Sequence, residues 1–135
     1  MSHIYDYQGQ TATIKAGKKE IYFEVLDISI QGGPIPVKEI ISDQIIDSHT
    51  SIGIMLTVRN KGHLLTDKQV AALLNPPLFI KIPDVLEGQG RVWTYEDTHI
   101  CFYFTGGITN INVKVVEAIN ETIHKLVELR DGQTG

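Results

Sequence analysis

Alternation of apolar and polar residues marks most of this chain as strand. Residues 10–16 and 19–30 read as two strands joined by Ala16-Gly17-Lys18, a short glycine-bearing hairpin turn. Parity changes within the second: Ile21, Phe23 and Val25 fall on one face, Leu26, Ile28 and Ile30 on the other. Either both faces are buried or a bulge near Val25-Leu26 shifts the register. Gly32-Gly33-Pro34 is expected to break this strand. Ile52, Ile54, Leu56 and Val58 alternate cleanly, which predicts a strand with one buried face, and Asn60-Lys61-Gly62 turns the chain after it. Leu78–Ile82 reads as a short strand, and its flanking prolines place it at a sheet edge. Gly88-Gln89-Gly90 reads as a loop. Residues 91–95 and 99–104 then form a second hairpin through Glu96-Asp97.

Helical spacing takes over elsewhere. Over 36–47, Val37, Ile40, Ile41 and Ile45 lie on one helical face, and Pro36 suits a first helical position. The isoleucine pairs 40–41 and 45–46 fit short buried strands equally well. Thr66 and Gln69 form a capping box, with Leu65 and Val70 at the hydrophobic-staple positions. A short helix should run from Asp67 to about residue 74 and stop before Pro76-Pro77. The last helix should begin near Asn110 or Ile111 and reach about Arg130, with Val115, Ile119, Ile123, Leu126 and Val127 as its apolar stripe. Strands with two or three helices interspersed, the longest at the C-terminus, lack the βαβ alternation of a doubly wound fold. They predict a single α+β domain over residues 1–135, its antiparallel sheet built from hairpins.

Composition narrows function more than fold. Hydrophobic residues make up 42% of the chain and charged residues 21%, so a packed core is the expectation rather than disorder. The net charge of −4 argues against duplex nucleic acid or an anionic membrane as partner, because both select a concentrated basic face. Cys101 is the single cysteine, which rules out an internal disulfide and fits a cytoplasmic setting. The first residues carry neither a basic nor an apolar signal region, and no apolar run reaches the roughly 18 residues of a membrane span. Abundant isoleucine and a preference for lysine over arginine fit an AT-rich bacterial or phage genome.

Candidate chemistry centres on Phe102-Tyr103-Phe104-Thr105-Gly106-Gly107-Ile108-Thr109-Asn110. Here an aromatic strand is expected to run through a glycine pair straight into the last helix. The freed amides of residues 107–110 and the helix dipole would favour a phosphate or carboxylate, with the Thr105 and Thr109 hydroxyls adding hydrogen bonds. The plainer alternative is that Gly106 and Gly107 only permit a tight turn. Neither a G-x-G-x-x-G motif nor a Walker lysine is present. Arg59, Lys61 and His63 form the densest basic patch and would grip the same anion if the two segments meet; otherwise they are a solvated turn.

With an even-numbered turn at Glu96-Asp97, Trp93 and Tyr95 share the core face with Ile100, Phe102 and Phe104. Val92, Thr94, His99, Cys101 and Tyr103 share the opposite, mixed face, which suits an interface or a ligand groove. His99 and Cys101 would stand roughly 7 Å apart, marginal for a catalytic pair. Five scattered histidines give no metal-binding spacing, and no cofactor motif is present. Asp43, Asp47, Asp84, Glu87, Glu96 and Asp97 read as solvated loop charge.

Two function classes follow. The first is a non-enzymatic protein that holds a small anionic ligand, a nucleotide or nucleotide-derived signal, in a pocket formed with a second subunit. The alternative is a small acidic protein–protein interaction module, such as an inhibitor, immunity or adaptor protein, of phage or bacterial origin. Val113, Val116, Ala118, Val127 and Leu129 widen the apolar surface of the last helix. They predict a homo-oligomer, joined through that helix or through the face of His99, Cys101 and Tyr103.

Overall fold

A hairpin opens the main sheet, as the alternation predicts. β2 (Thr11–Ala16) turns at Gly17, whose φ of 62° a glycine adopts without strain, into β3 (Lys19–Pro36). The computed structural model describes residues 2–41, 49–60, 64–96 and 98–134. Lys61, His63, Asp43, Asp47 and Asp97 therefore lie outside the described residues. The other elements are β1 (Ser2–Ile4), α1 (Val37–Ile40), β4 (Ser51–Asn60), α2 (Asp67–Leu73), β5 (Leu78–Ile82), β6 (Leu86–Tyr95), β7 (His99–Thr109) and α3 (Val113–Thr134). The architecture is α+β, an antiparallel sheet with the longest helix at the C-terminus.

The pairings close on themselves. β2 lies beside β5, β5 beside β6, β6 beside β7, β7 beside β4, β4 beside β3, and β3 again beside β2. These strands form a barrel, and β1 extends it along β3 at residues 28–30. Closure corrects one expectation: Leu78–Ile82 is no edge, since β5 pairs with β2 and β6 on its two sides. Pro76, Pro77 and Pro83 lie outside the strand, so no ladder hydrogen bond is lost to them.

Inward side chains fill the barrel. Ile14, Phe23, Val25, Leu56, Val58, Ile80, Ile100 and Phe102 are all fully buried. Gly88 and Gly90 are buried inward positions of β6, where a loop is expected from sequence. A Cβ on Gly90 would come within 2.4 Å of Ile80 Cδ1 and 2.7 Å of the Tyr103 carbonyl oxygen. Ile80 takes the space that Gly90 leaves, the small-against-large fit that a narrow barrel requires.

β3 contains two irregularities. Its pairing with β4 shifts between Val25 and Asp27, which resolves the parity change at Leu26 as a bulge. Gly32-Gly33-Pro34 does not end the strand; the register slips between Gly32 and Ile35, and pairing continues to Pro36. Gly33 lies against β4 so closely that a Cβ there would sit 2.5 Å from the Gly53 nitrogen. Only a glycine permits that approach.

α1 is shorter than the 36–47 pattern suggests. It spans Val37–Ile40, with Pro36 just before it, and Ile45 lies outside the described residues. α2 carries the expected capping box: Gln69 N donates to Thr66 Oγ1 at 3.2 Å and Thr66 N donates to Gln69 Oε1 at 3.0 Å. Such a cap contributes about 1 kcal/mol.

α3 packs on β1 and β3, burying Val115, Ala118, Ile119, Thr122 and Ile123. Thr122 Oγ1 lies 2.8 Å from Ser2 Oγ and 2.9 Å from the Ala118 carbonyl oxygen, so this buried hydroxyl is satisfied. Of the wider apolar set on this helix, Ala118 is buried and Val116 and Val127 are half-buried. Only Val113 and Leu129 stand exposed.

Candidate functional site

The glycine junction has a different geometry from the one its sequence suggests. β7 continues through Gly106 and Gly107 to Thr109, paired with β6 by Gln89 opposite Gly106 and Glu87 opposite Thr109. Gly107, at a φ of 58°, serves an irregularity in this ladder. The chain turns at Asn110, φ 54°, and α3 begins only at Val113. The amides of residues 107–110 are therefore not a helix N-terminus. Asn112 caps the helix instead: its Oδ1 accepts from Lys114 N and from the Tyr7 hydroxyl, both at 2.9 Å. A carboxylate also stands where an anion was expected, since Asn110 Nδ2 donates to Glu87 Oε2 at 2.8 Å.

Arg59 belongs to another part of the barrel. It faces outward at the end of β4, ion-paired with Glu24 and in register with His99 at the start of β7. Gly106 and Gly107 sit towards the far end of β7, a strand length of roughly 20 Å away. Thr105, Thr109 and Asn110 are exposed near that end. Arg59 and the glycine pair do not converge.

His99, Cys101 and Tyr103 do share the outward face of β7. They lie in register with Arg59, Thr57 and Met55 of β4 on one side, and Cys101 and Tyr103 with Thr94 and Arg91 of β6 on the other. Burial pushes the Cys101 thiol above its ordinary value, with a smaller opposing effect from a hydrogen bond to Thr57. A thiol held protonated is a poor nucleophile. The His99 ring nitrogen Nδ1 is engaged by Thr98 Oγ1 at 2.7 Å.

Trp93 overturns its expected position. The β6–β7 register shifts between Val92 and Thr94, so Trp93 is the extra residue of a bulge. Val92 pairs with Phe102 and packs against the core, whereas the indole is 63% exposed. Its ring meets Tyr103 edge-on, with centroids 5.6 Å apart. Tyr95, opposite Ile100, is also exposed. Ile100, Phe102 and Phe104 are buried as expected.

Trp93 and Tyr103 border a groove of about 370 Å³ with Gln31, Gly33, Pro34, Gly53 and Met55. None of its lining residues is charged. It opens where the β4–β7 ladder stops, at the pair Met55 and Tyr103. The Gly33-Pro34 irregularity of β3 lies over Gly53 at its margin. Gln31 Nε2 points at Met55 Sδ, 3.2 Å away, a weak acceptor.

Two further cavities are polar. One, of about 240 Å³, is lined by His3, Asp6, Lys114, Glu117 and Glu121 among others. In it the Lys114 ammonium pairs with Asp6 and holds that carboxyl below its usual range. The other, of about 320 Å³, holds Lys81, Asp84, Glu87 and Asn110. Among the described residues no group of His, Cys, Asp or Glu is arranged to bind a metal ion, and no helix is long and apolar enough to cross a membrane.

The fold and site define a closed antiparallel barrel, buttressed by a C-terminal helix, with an aromatic groove on its outer wall. Comparison with known protein families, curated proteins and solved structures finds no match to this chain.

Proposed function

We propose that this chain is a non-enzymatic protein–protein interaction module that engages its partner through the outer face of β4, β7 and β6. The observation that carries this reading is Trp93, a large aromatic held out at 63% exposure beside an uncharged groove. Tryptophan and tyrosine are the residue types that most often anchor protein interfaces. A bulge is also a common device for re-aiming a side chain. Of the two function classes, the anionic-ligand pocket has less support, because Arg59 and the glycine pair lie apart. The module keeps its basis in small size and an anchor-bearing face. Cytoplasmic residence goes with this reading, supported by the single cysteine.

Selection of a random twelve-residue peptide library against the immobilised full chain tests the proposal. Enriched peptides should bind the native chain and lose binding at least tenfold in Trp93→Ala. A selection that yields only peptides indifferent to this substitution overturns it.

A further inference from the structure

We infer that the groove takes an extended peptide segment of acidic and apolar residues, whose carboxylate pairs with Arg91; this rests on the interaction-module reading above. In a chain of net charge −4, strands β4, β6 and β7 carry a single carboxylate, Glu87. That group lies at the far end of β6, hydrogen-bonded to Asn110. Both arginines of these strands point outward, and Arg59 is neutralised by Glu24. Arg91 is exposed, stands directly opposite Tyr103, and has no carboxylate partner among the described residues.

With no carboxylate beside it among the described residues, the Arg91 guanidinium presents a planar fork suited to one. Beside it, Trp93, Tyr103 and Met55 offer apolar contact, and the methionine can adapt its shape to what it meets. Gln31 spends its amide on a thioether, so a peptide carbonyl is the better acceptor for that donor. At about 370 Å³ the groove is at the small end of the ligand-pocket range, room for anchoring side chains rather than for a domain.

Charge also argues against the Phe79 face of a second copy as occupant. The exposed Phe79 is flanked by Lys15, in register with it, and by Lys81 on the same strand. Those lysines would meet Arg91 with like charge.

The same peptide selection separates the two ideas. Trp93-dependent peptides should carry Asp or Glu next to apolar residues. A fluorescein-labelled member should bind Arg91→Ala about ten- to a hundredfold more weakly, the scale of a charge-assisted hydrogen bond. Arg91→Glu should select peptides bearing Lys or Arg in place of the acid. Circular dichroism spectra matching the native chain's would exclude misfolding as the cause. Trp93-dependent peptides that lack acids and bind Arg91→Ala undiminished would overturn this inference while leaving the module standing. Failure to obtain any Trp93-dependent peptide would remove both.

Discussion

Two bulges, one in β3 and one in β6, look alike in the barrel and entirely different in the sequence. At Leu26 the flanking inward residues are Phe23 and Val25 on one side and Ile28 and Ile30 on the other, all fully buried. The slip therefore appears as a change of apolar parity. At Trp93 the inward residues closest before the slip are Gly88, Gly90 and Val92, with Leu86 further back. Two glycines leave no apolar mark, so alternation cannot be followed across the bulge. Tryptophan, the largest apolar side chain, then stands as the obvious candidate for the core. A hydrophobic pattern reports register only where the inward positions carry hydrophobic side chains.

The largest effect is expected at Phe102. This ring is fully buried, tilted against Phe23 with centroids 6.0 Å apart. Phe102→Ala should cost roughly 3–5 kcal/mol in denaturant unfolding. A loss below about 1 kcal/mol would show that the inward face of β7 is misassigned.

Gly90 comes next. Gly90→Ala forces a Cβ to within 2.7 Å of the Tyr103 carbonyl oxygen and 2.4 Å of Ile80 Cδ1. The isoleucine can turn, but the backbone oxygen is fixed in the ladder. The expected cost is roughly 1–3 kcal/mol, the range for overpacking a filled interior. A neutral substitution would mean that residues 88–90 form the loop their sequence suggests.

The smallest effect should be at Trp93. Trp93→Ala removes an exposed ring and one edge-on contact with Tyr103, for about 1 kcal/mol or less. As the single tryptophan, it should emit at the red-shifted wavelength of an indole in water. A blue-shifted emission together with a loss above about 3 kcal/mol would return Trp93 to the core and make the two bulges unlike after all.

Parts of the candidate site were legible for the same reason as the first bulge. His99, Cys101 and Tyr103 alternate with Ile100, Phe102 and Phe104, so their outward direction follows from the burial of their neighbours. Asn112 was within reach as well, an asparagine directly before a helical run and so a standard N-cap signal. The position of Gly106 and Gly107 was not. A glycine pair has the same local meaning in a turn as in an irregular strand, and only pairing with Gln89 and Glu87 of β6 distinguishes them.

By itself the sequence determined the hairpins, the α2 cap, the strand at 52–58, the parity change at Leu26 and the long C-terminal helix. Each is written in residues close along the chain, where backbone preference and burial act together. The tertiary structure alone decided that the sheet closes, that β5 is interior and that Gly90 yields its space to Ile80. It likewise decided that Trp93 faces out, and that Arg59 and Gly107 never meet. Those outcomes depend on which distant strand lies alongside, and strand partners are chosen by the packing of the whole barrel rather than by any local pattern.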